Sequence, residues 1–392
     1  MAGNDPSGRS LSLRLIRLWR RWASALRATR ASPFGCLLLR SGPNGISTFL
    51  RLRPSGSPPS KAACILVTLL AVLSPLYLLS ASEHRDKAET EGKVVFYASM
   101  NAADVKALAD GFKQLYPKID VQFYRASDSP LMEKVMAEGR AGKPLWDVMA
   151  ITGFYGHLLK KRGMLESYDS PERKYFRGAY KDPQAFWTSI YTTYAIFGTN
   201  TRLVPKTSVP KSYQDLLKPE WKGQIGMEGR AYEWFATTMR NMGGEEKGLA
   251  FMRRFAQQQP QPRSGRTLIA QLVAAGEFKG SMTVYSQSYE ILKGSGAPVD
   301  WTPLDPVYAS VHPTGIAAKA PHPNAARLLM DFILSKKGQE ILRAARRIPD
   351  RIDTPPDPPR LIEGIRPAVT SPEVYDNFDR YVRLFDDTFK FK

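Results

Sequence analysis

The chain has 392 residues, 43% hydrophobic and 24% charged, the balance of a globular protein with room for about two domains. Its formal net charge of +19 brings nucleic acid to mind, but residues 1–61 carry eleven Lys and Arg against one acid, Asp5, so about half of the excess lies in the leader. The body beyond it has no zinc spacing, no RNP-like aromatic motif, no compact basic helix and no cysteine, since Cys36 and Cys64 both precede it; this argues against nucleic-acid binding, a disulfide framework and a cysteine metal site.

Residues 1–61 mix Arg, Ser, Pro and Gly with scattered Leu. Within them, SLRLIRLWRRWASALRATR puts Leu13, Ile16, Trp19 and Trp22 on one side of a basic helix, which reads either as a membrane-surface segment or as an unstructured extension. Residues 62–82 follow, with an apolar run from Ala62 to Ala81 about long enough to cross a bilayer. Ser80 and Ser82 occupy the −3 and −1 places of a cut before Glu83, so signal peptide and anchor are both open, and Pro75 with the small residues after it favours cleavage. Either way the body is expected outside the cytoplasm, in the periplasm or held to the inner membrane by residues 62–81.

An alternating pattern begins after the polar linker. Lys93–Ala98 is a strand, and Asn101 with Asp104 forms a capping box for a helix whose face is Val105, Leu108, Phe112 and Leu115. Ile119, Val121 and Phe123 alternate as a second strand. Ser129 caps a second helix with Pro130 at its first position and Leu131, Val135 and Met136 inward; a third strand, 147–151, and a third helix, 155–161, follow. This order predicts parallel strands with right-handed crossovers.

Ser189–Thr199 reads as a strand that leaves the first sheet, and Gln224–Met227 as the first strand of another. Helices are expected over 233–241, 245–258 and 267–275, and strands over 281–285, 299–302 and 315–319. Two further helices cover 324–334 and 338–346, and one closing helix covers 374–389. The expected division is lobe 1 over 91–195, lobe 2 over 196–303, and a return to lobe 1 over 304–392.

Four stretches carry a resemblance: LLKPEWKGQI at 216–225, AGEF at 275–278, GAPV at 296–299, and APHPNAARLLMDFILSKKGQEIL at 320–342. With them, the chain from about Glu91 to Pro349 resembles the substrate-binding proteins of bacterial ABC importers, in the group that includes ferric-ion binders. The resemblance implies an α/β, two-lobed periplasmic-binding-protein fold of type II, its lobes joined by crossing strands and closing over a solute by hinge motion. It also implies an ABC permease in the inner membrane as partner, a monomer, no cofactor and no catalysis. In the ferric binders a Tyr pair after the 281–285 strand supplies phenolates to the metal. That pair falls within Ser286–Ser288, where this chain has Ser-Gln-Ser; Tyr285 and Tyr289 flank the gap. Neutral hydrogen-bonding groups suit an organic solute or oxyanion better than a trivalent ion. Ferric-ion binding stays as an alternative, as does an anchored sensor or enzyme on the same scaffold.

No GxSxG, HExxH or P-loop stretch is present. Of the histidines, only His312 is placed near a cleft, and His322 is expected to be structural. Ligands of open α/β sheets bind at the carboxyl ends of strands, and helix N-termini there favour anions. The candidate ligand-binding residues are therefore Ser99, Asn101, Ser127, Ser129, Thr152 and Gly153 in lobe 1. Arg230, Tyr232, Arg266, Tyr285, Ser286 and Gln287 stand opposite in lobe 2, with Tyr308 at the return. The expected solute is small and anionic.

Overall fold

The structure, a computed structural model, describes residues 85–391. The basic leader, the apolar run at 62–82 and His84 lie outside the described residues. Among the described residues no helix is long and apolar enough to cross a membrane.

Lobe 1 is built on β1 (Lys93–Ala98), flanked in parallel by β2 (Asp120–Arg125) and β3 (Val148–Ala150). The connections are α1 (Ala102–Leu115) and α2 (Asp128–Arg140), and α3 (Gly153–Lys161) leaves β3. Successive side chains of β1 point to opposite faces. Val94, Phe96 and Ala98 join Val105, Leu108 and Phe112 of α1 in one core, while Tyr97 joins Leu131, Val135 and Trp146 in another. A parallel sheet covered on both faces explains the nearly continuous apolar run KVVFYA. β2 is the outermost strand, so its alternation does not translate into burial: Phe123 is 42% exposed.

β5 (Thr188–Asn200) has all thirteen residues buried. Its first half pairs antiparallel with β10 (Val307–Ala317), from Thr188↔Thr314 to Tyr194↔Ala309. Its second half, from Ala195, pairs with β8 (Gly280–Tyr285) and β9 (Val299–Thr302). The strand order is β2-β1-β3-β10-β5-β8-β6-β7, with β4 (Leu165–Glu166) and β11 (Pro367–Val369) on β10 and β9 on β5; β6 is Ile225–Glu228 and β7 is Gln261–Arg263. The Gln- and Pro-rich stretch 257–262 thus leads into an edge strand, β7, parallel to β6.

Lobe 2 carries α4 (Tyr232–Asn241), α5 (Glu245–Ala256), α6 (Arg266–Ala275) and α7 (Ser286–Gly294). α8 (Pro323–Leu334) and α9 (Lys336–Ala344) return to lobe 1, where Ala325, Leu329, Met330 and Ile333 complete its core. His322 caps this return structurally: its Nδ1 lies 2.8 Å from an Asp147 carboxylate oxygen.

The C-terminus departs from expectation. The single helix read over 374–389 is two, α10 (Pro372–Asp376) and α11 (Phe378–Phe389), broken at Asn377. α11 packs on lobe 2 rather than lobe 1: Tyr381, Phe385 and Phe389 are buried with Phe235, Phe251 and Phe255, and Phe385 meets Phe235 edge-on at 5.5 Å. Lobe 1 is already covered by α1, α8 and α9, whereas the α4–α5 face has aromatic surface to bury. Phe385→Ala should therefore destabilise the chain by about 3–5 kcal/mol in urea unfolding. A change below about 1 kcal/mol would mean that α11 is not part of the core.

Candidate functional site

The loops at the carboxyl ends of β1 and β3 meet those of β6 and β8 across the β5–β10 crossing. On the lobe 1 side the predicted caps are not what the helices use. Asn101 stands at the start of α1, exposed and making no capping bond. Asp104 does not close a capping box either; it accepts from Arg347 Nε at 2.7 Å. α2 begins at Asp128, one residue before the predicted cap, and neither Ser127 nor Ser129 caps it; the Ser129 hydroxyl lies 2.8 Å from that of Tyr155. Ser99 is partly buried at the end of β1, its N–H donated to the Ala150 carbonyl. The Thr152 N–H, at the start of α3, points to Asp128 Oδ1 at 3.5 Å. Gly153 is needed for space: a Cβ there would lie 2.2 Å from the Tyr375 hydroxyl.

The floor comes from the crossing strands. His312 stacks on Tyr191 with ring centroids 4.1 Å apart, and the Arg347 guanidinium lies 5.1 Å from the centre of the same ring. Burial and the neighbouring Arg347 push the His312 imidazole down to about 3, so it is neutral at ordinary pH. Burial pushes the Tyr191 hydroxyl up, with lesser contributions from Asp128 of lobe 1 and Tyr285 of lobe 2.

On lobe 2, Glu233 in the first turn of α4 reaches across. Its Oε2 accepts the Tyr308 hydroxyl at 2.7 Å, and its carboxylate faces the Phe154 N–H and the Asp128 carboxylate. Burial raises its pKa, and Asp128 adds to the rise. Tyr308 is buried and also raised, by burial first and Glu233 second. Tyr232 turns away from this cluster toward Phe385, 5.1 Å between ring centres, and Arg230 is exposed. Arg266 is the cation that reaches the cleft. Its Nε donates to the Thr283 carbonyl at 3.0 Å, its guanidinium lies 4.8 Å from the Tyr285 ring centre, and among the described residues it has no carboxylate within 4.0 Å. Thr283 has φ +69, unusual for a β-branched residue, where β8 slips register against β5. That bulge turns the Thr283 carbonyl onto Arg266.

The stretch Tyr285–Tyr289, YSQSY, leads directly from β8 into α7. Tyr285 precedes the first turn of α7, which starts at Ser286 with no acid in that turn. Ser286 and Gln287 are buried, and Ser286 Oγ and Gln287 Oε1 have no partner among the described residues. Tyr289 is core: it is fully buried, its hydroxyl lies 2.5 Å from that of Ser281, and its ring packs where a Cβ on Gly198 would stand 2.0 Å away. It does not substitute for a missing ligand. Among the described residues no group of three or more His, Cys, Asp or Glu is placed to hold a metal ion.

The structure thus brings together Thr152, Gly153, Arg266, Tyr285 and Tyr308, with Ser286 and Gln287 at the head of α7. It adds Asp128, Tyr191, Glu233, His312 and Arg347. The C-terminal segment ties the lobes beside this cleft: Phe378 of α11 stacks on Phe154 at 4.3 Å, and His157 and Lys161 reach Asp376 at 3.0 and 2.7 Å.

Because folding raises the Glu233 pKa, the native state holds its proton more firmly than the unfolded chain between the ordinary glutamate value and the raised one. Stability contributed there falls as pH rises through that window. Urea unfolding between about pH 4 and pH 8 should show a smaller loss with rising pH in Glu233→Gln than in the parent. Parallel profiles would contradict the assignment.

A family model described as bacterial extracellular solute-binding protein matches residues 144–372. An Fe(3+)-binding periplasmic protein of Serratia marcescens is 24% identical over 288 residues, 70% of this chain and 84% of that one. Iron-bound HitA from Pseudomonas aeruginosa shares the fold with a TM-score of 0.65 at 19% identity, covering 76% of this chain and 99% of its own. AfuA from Actinobacillus pleuropneumoniae, a periplasmic binding protein with fructose-6-phosphate bound, does so with a TM-score of 0.64 at 23% identity, covering 77% and 99%. The two-lobed α/β architecture with a crossing strand is therefore that of type II periplasmic binding proteins, and the chain belongs to the family of bacterial extracellular solute-binding proteins, as a receptor for a small solute.

Proposed function

We propose that this receptor captures a small anionic solute in the periplasm, as a monomer, and delivers it to an ABC permease in the inner membrane without making or breaking a bond. The observation that carries the anion is Arg266, held in place by Thr283 and Tyr285 and, among the described residues, without a carboxylate within 4.0 Å. Next to it is the head of α7, where a helix end of positive dipole, free of acid, meets the unpartnered Ser286 Oγ and Gln287 Oε1. The Ser286 hydroxyl can donate to an oxygen of an acid group, and the Gln287 amide can do so through Nε2, while its Oε1 only accepts. Other helix ends in the cleft have the protein's own carboxylates close by: Asp104, Asp128 and Glu233 stand in the first turns of α1, α2 and α4, Asp128 accepts the Thr152 N–H before α3, and Glu228 accepts the Gly265 N–H before α6. The anion subsite therefore narrows to Arg266 and α7, and Ser99, Asn101, Ser127 and Ser129 are lesser contributors.

Two relatives are named for iron, which makes the ferric ion the second reading. As a cargo it needs several anionic oxygens, and here the place of the phenolate pair holds Ser-Gln-Ser while Tyr289 is sealed in the core. Tyr308 is held in its neutral form by burial and by Glu233. Organic acids fit the donors better.

A charge-assisted bond is worth about 1.5–3 kcal/mol, so Arg266→Ala should weaken calorimetric binding of an acid found by thermal-shift screening by roughly ten-fold to over a hundred-fold. The exposed Arg230→Ala should cost less. Equal affinity of Arg266→Ala and the parent would overturn the anion reading.

A further inference from the structure

The acids of the cleft are not accounted for by an anionic solute alone. Thr152 and Phe154 offer the free N–H groups at the start of α3, and two carboxylates converge on them: Asp128 from lobe 1, on the Thr152 N–H, and Glu233 from lobe 2, facing the Phe154 N–H. A helix end supplies the equivalent of roughly half a positive charge. Two carboxylates bring a charge of up to −2. Among the described residues neither of them has a Lys, Arg or His within ion-pair distance. Among the described residues, the one hydrogen bond given to the Glu233 side chain by another side chain is that of the Tyr308 hydroxyl, which is neutral. Nearby cations are committed elsewhere: Arg347 to Asp104, and Arg266 to the Thr283 carbonyl and the Tyr285 ring. Glu233 feels Arg266 only at a distance.

Like charges that face one another in a closing, partly dehydrated cleft are unfavourable unless a cation or a proton comes between them. Burial first, and Asp128 after it, raises the Glu233 pKa, and a retained proton is one way to relieve that repulsion. A solute can supply the other. Beside the head of α7 stand Arg266, over the Tyr285 ring, and the buried Ser286 Oγ, which has no partner among the described residues. The cleft thus presents a guanidinium and a hydroxyl donor at the head of α7 and two acids at the start of α3.

We propose that the solute is zwitterionic: its acid group lies on Arg266 and the head of α7, and an ammonium or similar cationic nitrogen lies between Glu233 and Asp128. This rests on the anion reading above and extends it. Glu233, which comes from lobe 2 and meets α3 of lobe 1, would couple the solute's nitrogen to closure, since only the closed cleft brings both carboxylates to it. A single-lobe acid would bind the amine equally well with the cleft open.

The test uses matched sets of probes in chelator-treated buffer, by thermal shift and then calorimetry on the full chain. Taurine, phosphoethanolamine and 4-aminobutyrate are set against ethanesulfonate, ethyl phosphate and butyrate, and against putrescine and ethylamine, which lack the acid. The amino acids of at least one set should bind about ten-fold or more tighter than the same acid without its amine. That preference should collapse in Glu233→Gln and shrink in Asp128→Asn, while Arg266→Ala weakens both members. If the amine-free acids bind as tightly, or the preference survives Glu233→Gln, the zwitterion inference is overturned and the anion reading stands. If only the amines bind, or none of the acids does, both are overturned.

Discussion

One strand holds two sheets together, and the site exists because of it. Thr188 to Tyr194 of β5 lie in the lobe 1 sheet beside β10, and Ala195 to Asn200 lie in the lobe 2 sheet beside β8 and β9. Most of its residues pair within one sheet or the other, and the Thr192 N–H is given to the Ile348 carbonyl, so an unpaired segment at the crossing would leave buried N–H and C=O groups at a cost of about 1–3 kcal/mol each. The strand must therefore pass intact from lobe to lobe. Its side chains follow suit: Tyr191 becomes part of the cleft floor, and Gly198 is bare because Tyr289 packs against it. Motion between the lobes is left to twisting at the change of partner, where Tyr308 and Glu233 stand close by.

That framework sets up the electrostatics. Crossing strands bring the carboxyl ends of both sheets to one cleft, and with them the starts of α1, α2, α3, α4, α6 and α7. In water each helix end would be satisfied by solvent. In a cleft that closes, each needs a partner, and this chain supplies acids to most of them. The end of α7 is left with neutral groups, and Arg266 stands next to it on a strained carbonyl. The C-terminal segment sits on top of this arrangement. Its aromatic stripe fixes it to α4 and α5, while Asp376 and Phe378 hold α3 of the other lobe, so the same segment is core for one lobe and a surface contact for the other.

The elements of lobe 1 were legible because hydrophobic period and punctuation agree there; β1 begins and ends where KVVFYA does. Lobe membership at the C-terminus was not, because an amphipathic helix carries its apolar stripe in its sequence but not the identity of the surface that covers it. The first helical caps were misread for a similar reason. Asn101, Asp104 and Ser129 have the right chemistry and spacing for caps, yet Arg347, far along the chain, takes Asp104, and Tyr155 takes Ser129. For the site, Arg266, Tyr285 and Gly153 were reachable from their places after strands. Glu233 and Asp128 were passed over because single acids at helix starts read as dipole partners, and only the fold reveals that two of them meet on α3. Tyr232, a candidate by its place after β6, is held instead by the aromatic cluster under α11.

The central claim is that this cleft receives a small organic solute through Arg266 and α7 rather than a metal ion through phenolates. Native mass spectrometry of the protein purified from its own host, followed by identification of what denaturation releases, tests it most directly. The account predicts one small organic molecule per chain, bearing an acid group. A ferric ion bound with no organic acid, or a solute without any acid group, would contradict it.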